Sequence, residues 1–138
     1  MQHAKLDVVA AIIEQGGRFL LGKRSPHRPT APGYWCPICG RVEPGESQAE
    51  AVVREVHEET GLRVSALRKV AQCDTHDGRA LIHWWLTQLL DDSPARLAND
   101  EHSELRWLTP EELRGLEPTF PEDIAILLAA RPSPDAAP

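Results

Sequence analysis

An α/β layered domain is predicted by three features of the chain. Short apolar, β-branched runs read as strands, one amphipathic helix carries its own start and stop signals, and a second helical stretch lies near the C-terminal end. At 138 residues the length fits one domain with a substantial core. That domain is expected to span 1–131, with 132–138 (PSPDAAP) as a disordered tail.

Asp7 to Glu14 (DVVAAIIE) is a continuous apolar run, as expected of a strand covered on both faces. Gln15-Gly16-Gly17 marks a turn, and Arg18 to Lys23 (RFLLGK) returns as the second strand of a hairpin. Three prolines between Ser25 and Gly33 make that stretch a loop. It places His27 and Arg28 beside Arg24 at a strand end, where ligand-contacting loops usually lie. Tyr34 to Cys36 reads as a short strand leading into a loop at Gly40.

Ser47 opens a helix, and Glu50 three residues on completes a capping box. Ala49, Val52, Val53 and Val56 recur at i, i+3, i+4, i+7 and predict the face turned to the core. Gly61 sits where a left-handed cap would end the helix, with Leu62 as the accompanying apolar contact. Leu67 to His76 and Arg79 to Leu90 read as two strands joined by Asp77-Gly78. Trp84 and Trp85 point to opposite faces, one toward the core and the other toward the border of a pocket. A polar loop from Asp91 to Ser103 precedes a short strand, Glu104 to Leu108. Thr109 caps a helix starting at Pro110, and a last helix covers Pro121 to Ala130.

Composition narrows the function classes. Hydrophobic content of 41% and charged content of 26% are those of an ordinary globular protein. The longest apolar run, Val8 to Ile13, is far short of a membrane span, and the start MQHAKLD lacks the pattern of a secretory signal. A soluble, cytoplasmic protein without a membrane partner is the expectation. The net charge of −6 argues against a nucleic-acid polymer as partner. Cys36 and Cys39 form a C-x-x-C, which alone suggests a redox pair or half a zinc site. No second pair completes a zinc site and no helix follows Cys39 directly, so reduced, partly buried thiols are expected.

The chemistry concentrates in Gly40 to Leu62 (GRVEPGESQAEAVVREVHEETGL). Glu55, Glu58 and Glu59 are spaced i, i+3, i+4 and share one side of a helix, about a third of a turn from the valine face. Like charges crowded there repel, and a hard divalent cation such as Mg²⁺ or Mn²⁺ turns that cost into a gain. No G-x-G-x-x-G or phosphate-loop lysine motif supports a nucleotide fold of those kinds.

Gly40, five residues, Glu46, seven residues, then Arg54-Glu55-Val56-x-Glu58-Glu59-x-Gly61-Leu62 fill every fixed position of the Nudix box. The chain therefore resembles the Nudix hydrolases. Outside the box, VVAAIIE with LLGKR, and EHSELRWLTPEEL, are most similar to the MutT and CTP-pyrophosphohydrolase branch. The resemblance implies a Nudix fold, an α/β/α sandwich with a central mixed β-sheet. It also implies hydrolysis of a nucleoside diphosphate linked to another group, with Mg²⁺ or Mn²⁺ as cofactor. Carried over by position, Glu58 and Glu59 are metal ligands, Glu55 is a ligand or the base, and Glu46 is a weaker ligand. Arg54 orients these glutamates, and a backbone carbonyl near Cys39 or Gly40 completes the metal shell. From the later loop the family tends to supply a further glutamate, Glu101 first and Glu104 second. Asp123 lies where the branch places a base-contacting residue. This chain departs from the branch in reading Ile38-Cys39-Gly40 where Pro-Gly-Gly is usual.

Lys23 and Arg24 are the candidate phosphate contacts, because polyphosphate needs local cations in an acidic protein. The implied substrate is a small-molecule (deoxy)nucleoside triphosphate, cut to monophosphate and pyrophosphate, oxidised or non-standard nucleotides among them, by a monomer or homodimer. ADP-ribose, nucleotide sugars and dinucleoside polyphosphates form the alternative, against which Gly78, Arg79 and Ala80 stand where those subfamilies carry proline or tyrosine. A non-catalytic nucleotide sensor is the alternative of another class, and such modules usually lose box carboxylates that are all present here.

Overall fold

In the computed structural model, which describes residues 5–75 and 77–130, the first apolar run forms β1 (Leu6–Ile12), an inner strand of a four-stranded sheet. Its neighbours are β5 (Ile38–Arg41), antiparallel, and β7 (Ala80–Leu89), parallel. β6 (Val64–Asp74) pairs antiparallel with β7 and closes the order β5-β1-β7-β6. The sheet is mixed. A second sheet is built on β3 (Arg18–Arg24), which pairs antiparallel with β2 (Glu14–Gln15), β4 (Trp35–Cys36) and β8 (His102–Leu108).

The predicted opening hairpin is therefore cut short. β2 and β3 flank the turn, with Glu14 opposite Phe19, but β1 does not pair with β3. The apolar composition of β1 suits a strand covered on both faces, and β5 and β7 occupy both its edges, leaving none for β3. The chain changes sheets at the buried Ile13. The loop expected at Gly40 is another correction: Ile38–Arg41 is a strand in register with β1, Val9 opposite Gly40 and Ala10 opposite Cys39. The predicted strand end at His76 and the tail at 132–138 lie outside the described residues.

Strand alternation divides the core into two layers. Val9, Ala11 and Ile13 join one cluster with Val52, Val56 and Leu62. Ala10, Ile12 and Trp84 join another with Leu113 and Leu127. The first layer is covered by α1 (Gln48–Thr60), the second by α2 (Pro110–Arg114) and α3 (Pro121–Ala130). The result is an α/β/α sandwich around a mixed sheet, as expected. Among the described residues no helix is long and apolar enough to cross a membrane.

Both ends of α1 are fixed by their local chemistry. Ser47 Oγ accepts from the Glu50 backbone N–H at 3.1 Å, and the Ser47 N–H donates to the Glu50 carboxylate at 2.9 Å. Gly61 stops the helix at φ 74°, a left-handed angle that glycine adopts without a Cβ penalty. The core face differs from the expected stripe. Val53 is 40% exposed, whereas Ala51, Val52, Val56, Glu59 and Thr60 are buried. The helix is rolled so that its carboxylate strip runs from solvent at Glu58 into the interior at Glu59.

Candidate active site

Arg54 organises the acidic strip. Its Nε and NH2 donate to the two carboxylate oxygens of Glu46 at 2.7 and 2.9 Å, a bidentate pairing across eight residues of loop and helix. NH1 reaches Glu55 at 2.8 Å and Glu58 at 3.2 Å, and NH2 also donates to the backbone carbonyl of Arg41 at 2.9 Å. One guanidinium thus ties the loop after β5 to the third and fourth turns of α1. The Arg54 pairing and the Glu43 backbone N–H hold the Glu46 carboxyl at about 2.

Deeper in, the electrostatics reverse. Glu59 is 1% exposed, on the side of α1 that faces β8. Its Oε1 lies 2.8 Å from Nε2 of His102, while Oε2 has no hydrogen-bond partner in the protein. Burial lifts the Glu59 carboxyl to about 8. Burial also pushes Glu55 up to about 8, with the neighbouring Glu59 adding to the push and Arg54 opposing it. His102 is pushed down to about 4, chiefly by burial and then by the Arg28 and Arg24 charges. The polar loop expected to run to Ser103 is corrected at its end: strand β8 begins two residues earlier than expected, and His102 opens it inside the fold.

These observations bear on metal binding. The side chains present are hard oxygen donors, one buried oxygen is orphaned, and burial raises the carboxyls of the half-buried Glu55 and the buried Glu59 in the absence of a cation. That donor set fits a divalent ion held by Glu55, Glu58 and Glu59. Among the described residues no three such side chains stand as a finished metal cage, and Arg54 fills the space between Glu46, Glu55 and Glu58.

A cleft of about 660 Å³ opens beside the strip. Its floor is one face of the mixed sheet, where Ala10, Cys39, Ile82, Trp84 and Cys73 line up through the strand registers. Arg24, Arg28, Glu55 and Glu101 stand along its wall, and Phe120, Glu122 and Asp123 at the start of α3 face it as well. Arg28 pairs with Glu101, and the Ser25 N–H donates to the Glu101 carbonyl at 3.0 Å, so the loop after β3 and the loop before β8 are fastened together. The three cysteines are free. Hydrogen bonding from Cys39 holds the buried Cys36 thiol below its usual range and leaves Cys39 above it. Trp84 and Trp85 both pack inward: Trp84, fully buried, donates to Cys73 Sγ at 3.4 Å, and Trp85 donates to Gln48 at 3.0 Å across the α1 layer.

Of the residues singled out in the sequence, Arg24, Arg28, Cys36, Cys39, Gly40, Glu55, Glu101 and Asp123 are among those that line the cleft. Arg54, Glu46, Glu58 and Glu59 adjoin it through the Arg54 cluster and α1. Lys23 and Glu104 are not brought there. They oppose each other across β3 and β8, and Glu104 pairs with Arg106, whose guanidinium lies 5.0 Å over Trp35. Sequence reasoning missed Arg41, Arg79 and Phe120, which come to the cleft from strand ends and a loop without any motif.

A family model described as NUDIX domain matches residues 3–130. The chain belongs to the Nudix family. Among curated relatives of this Nudix hydrolase, the CTP pyrophosphohydrolase of Escherichia coli (strain K12) is 38% identical over 124 residues, covering 90% of each chain. The nucleoside triphosphatase NudI of Enterobacter sp. (strain 638) is 31% identical over 121 residues, covering 80% of this chain and 86% of that one. The crystal structure of a MutT protein from Methanosarcina mazei Go1 superposes with a TM-score of 0.77 at 28% identity, covering 94% of each chain. Nudix hydrolases generally use divalent metal ions and act on small nucleotide substrates.

Also lining the Nudix cleft, Asp123 is 8% exposed, and burial, with Glu122 adding to it, raises its carboxyl from the usual 3.8 to about 7. The fold therefore favours the protonated form. Its contribution to stability is complete below pH 4 and is lost as the pH rises through 7. Asp123→Asn removes that loss. Chemical denaturation of the two proteins is expected to show the variant gaining on wild type between pH 4 and 8, with a ceiling of roughly 4 kcal/mol at about 1.4 kcal/mol per pH unit. A difference that stays flat across this range would show that Asp123 is not desolvated.

Proposed function

We propose that the chain is a Mg²⁺- or Mn²⁺-dependent pyrophosphohydrolase that cuts (deoxy)nucleoside triphosphates to monophosphate and pyrophosphate. The observation that carries this reading is the cleft itself, which Glu55, Glu101, Arg24, Arg28 and Asp123 line together. Arg24 and Arg28 would bind phosphate oxygens from the cleft lining. The Arg54 network is placed to keep Glu46, Glu55 and Glu58 oriented. A divalent cation bound by Glu55, Glu58 and Glu59 would neutralise phosphoryl oxygens and make water a better nucleophile at neutral pH. Water forms a new bond to phosphorus as one P–O–P bond breaks, and its proton passes to a carboxylate, for which Glu101 and Glu55 are the two candidates.

Cytidine triphosphates are the first substrates to test. A protonated Asp123 can donate to cytosine N3 and accept from the exocyclic N4 amine, and a relative named CTP pyrophosphohydrolase is 38% identical. The deciding experiment is a panel of CTP, dCTP, dATP, GTP, oxidised nucleotides and ADP-ribose with Mg²⁺ or Mn²⁺, scored for pyrophosphate against phosphate release. Pyrophosphate from the triphosphates is expected. ADP-ribose turnover without triphosphate turnover would replace the substrate class, and no turnover of any nucleoside diphosphate derivative would overturn the enzymatic reading.

A further inference from the structure

Among the described residues two histidines are buried, and they differ in what they hold. His83 meets the exposed Asp7 at 2.8 Å. His102 meets Glu59 at the same distance, but both of those side chains are almost wholly withdrawn from solvent, at 3% and 1% exposure. The ring occupies a space that exists because residue 22 is glycine: a Cβ there would lie 2.4 Å from His102 Nδ1. Within this pocket neither Nδ1 of His102 nor Oε2 of Glu59 makes a hydrogen bond of normal geometry, with the Lys23 backbone beside the ring and Glu55 beside the carboxyl.

An apolar pair of similar shape would fill the same volume and strand neither atom, so packing alone is a poor reason for a buried histidine and glutamate. The contact does achieve a fixed carboxylate. With Oε1 held by a ring nitrogen, the plane of the Glu59 carboxyl is set and Oε2 is the oxygen left to bind. Glu101 precedes His102 directly and lines the cleft, so the same strand end sets the positions of Glu101 and of the group that braces Glu59.

We propose that His102 is a positioning residue for the metal site, holding Oε1 of Glu59 through Nε2 so that Oε2 is presented to a divalent cation. The inference rests on Glu59 being a metal ligand, as in the function proposed above. Facing an ionised Glu59 carboxylate, the Nε2–H tautomer is the one that makes the contact. Removing an outer partner of this kind typically weakens metal binding by about 10- to 100-fold.

The test is calorimetric titration of the nucleotide-free full chain with Mn²⁺, alongside the Mn²⁺ concentration giving half-maximal activity. His102→Leu, which fills the volume without a donor, is expected to weaken Mn²⁺ binding by about 10- to 100-fold. It should raise the half-maximal concentration to match, with a smaller change in kcat at saturating metal. His102→Gln, whose amide nitrogen reaches about as far as Nε2, is expected to restore most of the affinity. If the leucine variant does not fold, His102→Ala takes its place in the comparison with His102→Gln. Leucine or alanine variants that bind Mn²⁺ like wild type, or a glutamine variant no better than leucine, would overturn the role of His102 while leaving the metal site standing. A wild-type chain that binds neither Mn²⁺ nor Mg²⁺ would instead overturn the proposed site, and this inference with it.

Discussion

Glu58→Gln is expected to lower kcat for nucleotide hydrolysis by on the order of 10²- to 10³-fold while leaving the fold intact. Glu58 is the exposed member of the acidic strip, half open to solvent, and it meets Arg54 at 3.2 Å. An exposed pair of that kind contributes about 0–1 kcal/mol, so the melting temperature should stay within about 3 °C of wild type. The isosteric amide keeps the shape and removes the charge. What is lost is attraction for a divalent cation and, through it, stabilisation of charge on the transferring phosphoryl group, an effect worth several kcal/mol at about 1.4 kcal/mol per decade in rate. Steady-state kinetics with Mg²⁺ titrated to saturation, beside a thermal melt, make the check. A rate within a factor of about three of wild type at saturating Mg²⁺ would remove Glu58 from the site.

The contrast between Glu58 and Glu59 shows where the sequence stopped being informative. Spacing alone placed Glu55, Glu58 and Glu59 along one side of a helix, and the capping residues Ser47 and Gly61 fixed the ends of that helix in the positions found. The roll of the helix about its axis was not legible. The apolar recurrence of Ala49, Val52, Val53 and Val56 pointed to one face, but the sheet and β8 bury another, centred on Val52, Val56 and Glu59. The buried polar residues Glu59 and Thr60 are what a hydrophobic pattern cannot register, because they are held by specific partners: His102 for Glu59, and the Val56 carbonyl for the Thr60 hydroxyl at 2.6 Å. How the cleft wall comes together was equally hidden. Glu101 lies far along the chain from Arg24 and Arg28, and a long-range pairing of β3 with β8 brings it to them. Lys23, one position from Arg24, and Glu104, three from Glu101, do not line the cleft, because alternation and a bulge beside Arg24 turn them to another surface.

Gly40→Ala is the second variant with a large expected effect, and its reason is proximity rather than backbone freedom. Gly40 lies in strand β5, opposite Val9, where any residue can adopt the backbone angles. A Cβ added there would come within 2.0 Å of the Glu55 carboxyl carbon and 2.3 Å and 2.4 Å of its oxygens. Those atoms end a flexible side chain, so the strand need not move; Glu55 must swing away instead. In doing so it leaves Arg54 NH1, now 2.8 Å distant, and its place on the cleft wall. Misplacing a catalytic group by about 1 Å can cost on the order of 10²-fold in rate, and a loss of that size is expected in kcat. Stability should hold or rise slightly, because alanine narrows the unfolded ensemble and Glu55 moves to a more solvated position. The double variant separates this cause from a disturbed sheet. In a Glu55→Ala background the Gly40→Ala change should cost little more, since the side chain it displaces is already gone. If Gly40→Ala instead slows both backgrounds equally, β5 itself carries the effect, and the space at Gly40 is not there for Glu55.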